Sequence, residues 1–178
     1  MRKSVLMSLM SAAVAVLFAV ATPAFATPIT QTIDMGQVFT GATPNGQAPW
    51  LTAVFTYDDD GSSNVGTLVL HSNLVDGNFL QGGNGNGVMG WGFNLAGNSL
   101  TDHDCISGMC ATEVSMGSIN SGSVSGGFNL GFGWTSQNRF DASDTATYSL
   151  TFADMLTTSP FMANDDGYLS FAHVQGIT

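Results

Sequence analysis

The chain has 178 residues, 44% of them hydrophobic and only 9% charged, with a formal net charge of −10. That length suits one domain with a sizeable core. Its only basic residues, Arg2, Lys3 and Arg139, cannot neutralise a row of phosphates or an anionic lipid surface, which excludes nucleic-acid binding and docking on acidic membranes.

Residues 1–26 read as a secretory signal peptide. Met1-Arg2-Lys3 is the positive start, Val5 to Val20 is the apolar run, and Ala24-Phe25-Ala26 is the small-x-small cleavage pattern before Thr27. Ala19-Val20-Ala21 is a second candidate cleavage site. The apolar run is shorter than the ~20 residues of a spanning helix, so cleavage is expected rather than anchoring. Cleavage removes Arg2 and Lys3 and leaves Arg139 against 13 acidic residues, a formal charge of 1 − 13 = −12. A domain over 27–178 with one arginine relies on apolar burial and backbone hydrogen bonds, not on salt bridges.

Within that domain the hydrophobic period is two. Ile29, Ile33 and Met35 alternate with Thr30, Thr32 and Asp34 in a first predicted strand. From Trp50 to Tyr57, residues Leu51, Ala53, Phe55 and Tyr57 share a face, and Gly66–His71 is the next candidate. Asp58-Asp59-Asp60-Gly61 follows the second strand. Clustered carboxylates in a turn suit calcium, although the spacing departs from the usual calcium loop and a solvated turn is the default reading. Met89, Trp91, Phe93 and Leu95 alternate with glycine and asparagine, as do Phe128, Leu130, Phe132 and Trp134. Glycine weakens strands, so its repetition implies either a bare face that something packs on closely or a flat exterior behind an aromatic core face.

Cys105 and Cys110, the only cysteines, are spaced C-x4-C and are expected to form a local disulfide in an exported protein. Two late strands are predicted over Thr145–Phe152 and Tyr168–Val174, with a helical turn at Ala153–Thr158 between them. Asn45-Gly46, Asp60-Gly61, Asp76-Gly77 and Asp166-Gly167 supply turns between strands. Together these features predict a single all-β antiparallel sandwich or jelly roll of about eight strands.

Chemistry-bearing motifs are sparse. His71, His103 and His173 have no metal-type spacing, and G-x-S-x-G, H-E-x-x-H and phosphate-loop patterns are missing. A jelly-roll polysaccharide lyase or glycoside hydrolase would need converging carboxylates, for which Asp102, Asp104 and Glu113 are the first candidates.

Three stretches resemble a group of exported bacterial proteins. Ala42 to Phe55 (ATPNGQAPWLTAVF), Arg139 to Phe152 with its RF…ATYSLTF cadence, and Phe171 to Ile177 (FAHVQGI) are similar to segments of PEP-CTERM proteins, the exosortase substrates. The resemblance spans about residues 42–177. It implies a protein exported in a Gram-negative-type bacterium, residing in the periplasm, at the cell surface or outside, and associated with exopolysaccharide and biofilm matrix. It supplies no catalytic residues. The family's sorting tail has no counterpart up to Thr178, which implies a freely secreted relative or a reading frame cut short before the tail.

The expected function is therefore non-enzymatic and matrix-associated, with extracellular polysaccharide as partner. Trp50 and Trp134 are the candidate stacking platforms, because a flat ring matches a sugar face. A self-assembling structural surface protein is the other non-enzymatic alternative.

Overall fold

A computed structural model describes residues 27–83, 88–96, 100–119 and 127–178. The expected signal peptide lies outside the described residues, as do residues 84–87 and 120–126 of the two glycine-rich loops. The fold is all-β and antiparallel. Its main sheet has the order β1 (Pro28–Met35), β2 (Leu51–Asp58), β3 (Val65–Ser72), β9 (Thr145–Phe152), β6 (Leu100–Gly108). A second sheet has the order β10 (Ser170–Ala172), β5 (Trp91–Phe93), β8 (Leu130–Gly133), β7 (Glu113–Met116). A short ribbon pairs β4 (Phe79–Leu80) with β11 (Val174–Gln175). Among the described residues no helix is long and apolar enough to cross a membrane.

Period-two alternation builds the core. Leu51, Ala53, Phe55 and Tyr57 of β2 are buried, as are Leu68 and Leu70 of β3 and Ala146, Tyr148, Leu150 and Phe152 of β9. From the second sheet Trp91, Phe93, Leu130 and Phe132 join the same cluster, with Trp134 just beyond β8. Phe161 links the layers, its ring 5.0 Å from Phe55 and 5.4 Å from Phe93. The four expected turn glycines, Gly46, Gly61, Gly77 and Gly167, all have positive φ, the conformation that favours glycine in such dipeptides.

Three expectations are corrected. Ala153–Thr158 is a loop, not a helical turn, because the Leu156 amide donates to the Ser63 carbonyl at 2.8 Å and its side chain is buried. The Tyr168–Val174 strand is two short strands, interrupted at His173, whose amide donates to Gly90. The glycine face of the second sheet is no flat exterior. Met89, Ile119, Phe128 and Phe171 cover it as a separate buried cluster. A Cβ on Gly92 would clash with the edge of the Phe171 ring, and one on Gly131 would come 2.6 Å from Met89 Cγ. Met89 and Phe128 thus leave the face of their strand neighbours, the ladder running only from Trp91 to Phe93 and from Leu130 to Gly133.

Candidate functional site

A cleft of about 330 Å³ opens where four separate segments meet. One wall is the segment after β1, from Gln37 to Ala42 together with Pro44, and Trp50 just before β2 and Leu51 at its start add to it. The opposite wall is Phe171 to Val174 with Ile177, and Val88 completes it. The Ala42–Phe55 and Phe171–Ile177 stretches therefore share one cavity.

Buried polar groups hold these walls. Asn78, 1% exposed, accepts from the Asn45 amide at 2.9 Å and donates through Nδ2 to the Gly176 carbonyl at 2.9 Å. One side chain thereby ties the segment before β2 to the segment after β11. Ser170 accepts from Trp91 Nε1 at 2.9 Å and donates to the Gly92 carbonyl at 2.7 Å, fixing the start of β10 beside β5. Phe39 packs edge-on against Tyr168, with ring centroids 4.3 Å apart.

The cleft is graded in polarity. Pro44, Trp50, Leu51 and Phe171 are buried, whereas Gln37, Thr40 and His173 are exposed. Among the described residues, no aspartate, glutamate, lysine or arginine lines it. Chemically it offers an apolar floor and a rim of one amide, one hydroxyl and one imidazole.

The sequence-derived candidates fall in different places. Trp134 is 0% exposed and its Nε1 donates to the Met109 carbonyl at 3.0 Å, so it is a core residue and not a stacking platform. Trp50 is 9% exposed, too little for an open platform, but it contributes to the cleft. Asp58, Asp59 and Asp60 do not converge. Asp60 accepts from the Ser62 amide at 2.8 Å in a local turn, and its interactions with Ser62 hold its carboxyl below the usual aspartate value. Among the described residues no three His, Cys, Asp or Glu side chains are placed to hold a metal ion, so the calcium expectation has no ligand set there.

Asp102 and Asp104 are exposed on β6, in the main sheet, while Glu113 is on β7, in the second. None of the three lines the cleft. His71 Nδ1 and Thr145 Oγ1 are 3.1 Å apart on the main sheet.

Cys105 and Cys110 are joined as a disulfide with Cα atoms 5.9 Å apart. It closes the end of β6 where the chain crosses to the second sheet. There Tyr148 Oη accepts from the Ala111 amide at 2.6 Å, and burial raises the Tyr148 pKa above the ordinary tyrosine value. Asp141 is also raised, by burial first and then by the neighbouring Asp144 carboxylate.

Arg139, the only lysine or arginine among the described residues, lies 4.0 Å above the Phe79 ring and donates to the Ser136 carbonyl. A cation over an aromatic face in this way is favourable without any acidic partner.

Sequence reasoning did not single out Gln37, Phe39 or Thr40. The available signal was two large apolar residues, Val38 and Phe39, in a segment with neither helical nor strand periodicity. No protein-family model, curated protein or solved structure matches the chain.

Proposed function

We propose that this is an exported, non-enzymatic domain of the PEP-CTERM type that works in the extracellular matrix and binds uncharged polysaccharide in the cleft between the Gln37–Pro44 segment and the Phe171–Ile177 segment. The observation that carries the reading is the cleft's chemistry: apolar and aromatic groups with the Gln37 amide, the Thr40 hydroxyl and the His173 imidazole, and, among the described residues, no aspartate, glutamate, lysine or arginine. Such a lining suits a hydroxyl-rich, uncharged ligand that presents apolar faces. The domain charge expected after signal cleavage is −12 and works against acidic polymers. Hydrolysis of a glycosidic bond by the usual route requires two carboxyl groups flanking it, and none of the described residues lining this cleft carries one.

The test is calorimetry of the mature chain with polysaccharide released from the host's own matrix, followed by sizing of the polymer. Heat of binding with unchanged polymer length is the expected result. Shortened polymer would replace the reading with an enzyme, and absence of heat would favour a self-assembling structural component.

A further inference from the structure

Resting on the cleft's reading as a polysaccharide site, we infer that it recognises an acetyl group carried by an uncharged sugar unit, taken methyl-first onto the floor. The grading of polarity carries this. The buried lining side chains, Pro44, Trp50, Leu51 and Phe171, offer no polar atom except the indole N–H, which is directed at the Gly46 carbonyl 3.4 Å away. A bare sugar hydroxyl placed there would lose its water without gaining a partner, which is costly. A methyl group placed there gains burial instead.

The polar side chains sit at the mouth. Gln37, Thr40 and His173 are exposed, and among the described residues no hydrogen bond holds the Gln37 or Thr40 side chain. At that depth an acetyl carbonyl can accept from the Gln37 amide or the Thr40 hydroxyl, and ring hydroxyls can reach the His173 imidazole. Volume fits the same assignment. At about 330 Å³ the cleft is at the lower end of ligand pockets, room for a single substituted unit and not a length of chain. Among the described lining residues there is no lysine or arginine to pair with a uronate and no aspartate or glutamate to pair with an amine.

Two pairs of uncharged probes test the inference by calorimetry on the secreted protein. N-acetylated chitotriose is compared with cellotriose, which has the same linkage but a hydroxyl in place of each acetamide. An O-acetylated glucomannan oligosaccharide is compared with the same sample after mild alkali, which removes ester acetyls. The first pair reports amide-linked acetyl, the second ester-linked acetyl.

The expected result is at least tenfold tighter binding of the acetylated member in one pair or both, from one buried methyl and one hydrogen bond. Gln37→Ala or Thr40→Ala should remove most of that preference. Ala42→Trp, at an exposed lining position, should abolish binding with the melting temperature unchanged. Equal affinity within both pairs overturns the acetyl assignment while leaving the polysaccharide reading in place. Failure of all four probes, with the host polymer still binding before and after alkali, does the same. Failure of the probes and the host polymer together overturns both.

Discussion

The ring of Phe171 rests directly on Gly92, in the space that a side chain at Gly92 would need. Gly92 is paired with Phe171 across the β10–β5 ladder, so the contact is between cross-strand neighbours. The glycine is absent of side chain because its face of the sheet is already covered. Phe171 in turn forms part of the cleft, so the same contact joins sheet packing to the candidate site.

Gly92→Ala therefore overpacks the small outer cluster. The expected cost is about 1–3 kcal/mol, read as a lower midpoint in urea at unchanged slope. Gly131→Ala, facing Met89 and Ile119, should behave similarly. Gly127→Ala is the control, since nothing lies within 4 Å of its would-be Cβ. Equal stability of Gly92→Ala and Gly127→Ala would show that Phe171 does not occupy that space.

Asn78 is the next test. Asn78→Ala removes the acceptor for Asn45 N–H and the donor for Gly176 C=O in one step. Loss of such buried bonds costs about 1–3 kcal/mol. Hydrogen exchange at the Asn45 amide should accelerate, and the proposed polysaccharide binding should weaken because the cleft's two walls are no longer tied. Unchanged exchange at Asn45 would contradict the geometry.

Much of this fold was legible from residues and some was not, for reasons that differ by element. Thr145–Phe152 alternates perfectly, and the strand has those bounds. Leu100–Gly108 carries no strand signal in the sequence, because Asp102, His103 and Asp104 give neither face an apolar pattern. It is a strand through its pairing with β9, at the rim of the sheet, where burial imposes no alternation. The cleft was invisible for another reason. Its walls are distant in sequence and meet through Asn78, a polar residue whose role depends wholly on where the chain returns. Trp134 misled because an aromatic residue at a strand end has no local mark that separates a core ring from a surface one.

Acid titration should move two aspartates in opposite directions. Asp60 has a lowered pKa, so its contribution to stability is present above the unfolded value and is lost as pH falls through the folded one. Asp141 has a raised pKa, so its contribution is present at low pH and is lost as pH rises through the folded value. Carbon-detected NMR should place Asp60 below and Asp141 above the ordinary aspartate value. Ser62→Ala should move Asp60 upward, and Asp144→Asn should move Asp141 downward. Shifts in the reverse sense would refute the assigned causes.

Calcium provides a separate check on the Asp58–Asp60 turn. With Asp60 satisfied by Ser62 and no converging ligand set among the described residues, melting temperatures in calcium and in chelator should coincide. A rise with calcium would mean that the turn rearranges to bind it, since any ligand binding the folded state alone raises its stability.

The crossing between the sheets makes the last prediction. Tyr148 packs against Phe132 with ring centroids 4.7 Å apart, and its hydroxyl oxygen accepts from Ala111 just beyond the Cys105–Cys110 disulfide. Burial outweighs the hydrogen bond and raises its pKa, so the neutral phenol is the form compatible with the fold. Its stabilisation is complete below the unfolded tyrosine value and disappears as pH rises through the folded value. Ultraviolet titration should therefore show a tyrosine that ionises above the ordinary value of about 10, together with loss of near-ultraviolet dichroism. Tyr148→Phe should delete that step and cost about 1 kcal/mol through the Ala111 amide left without its acceptor. Replacing both cysteines by alanine should cost about 2 kcal/mol from the opened ring. The two changes share the crossing segment, so their combined effect should differ from the sum of the separate ones. Strict additivity would mean that the disulfide and the Tyr148–Ala111 bond hold the crossing independently.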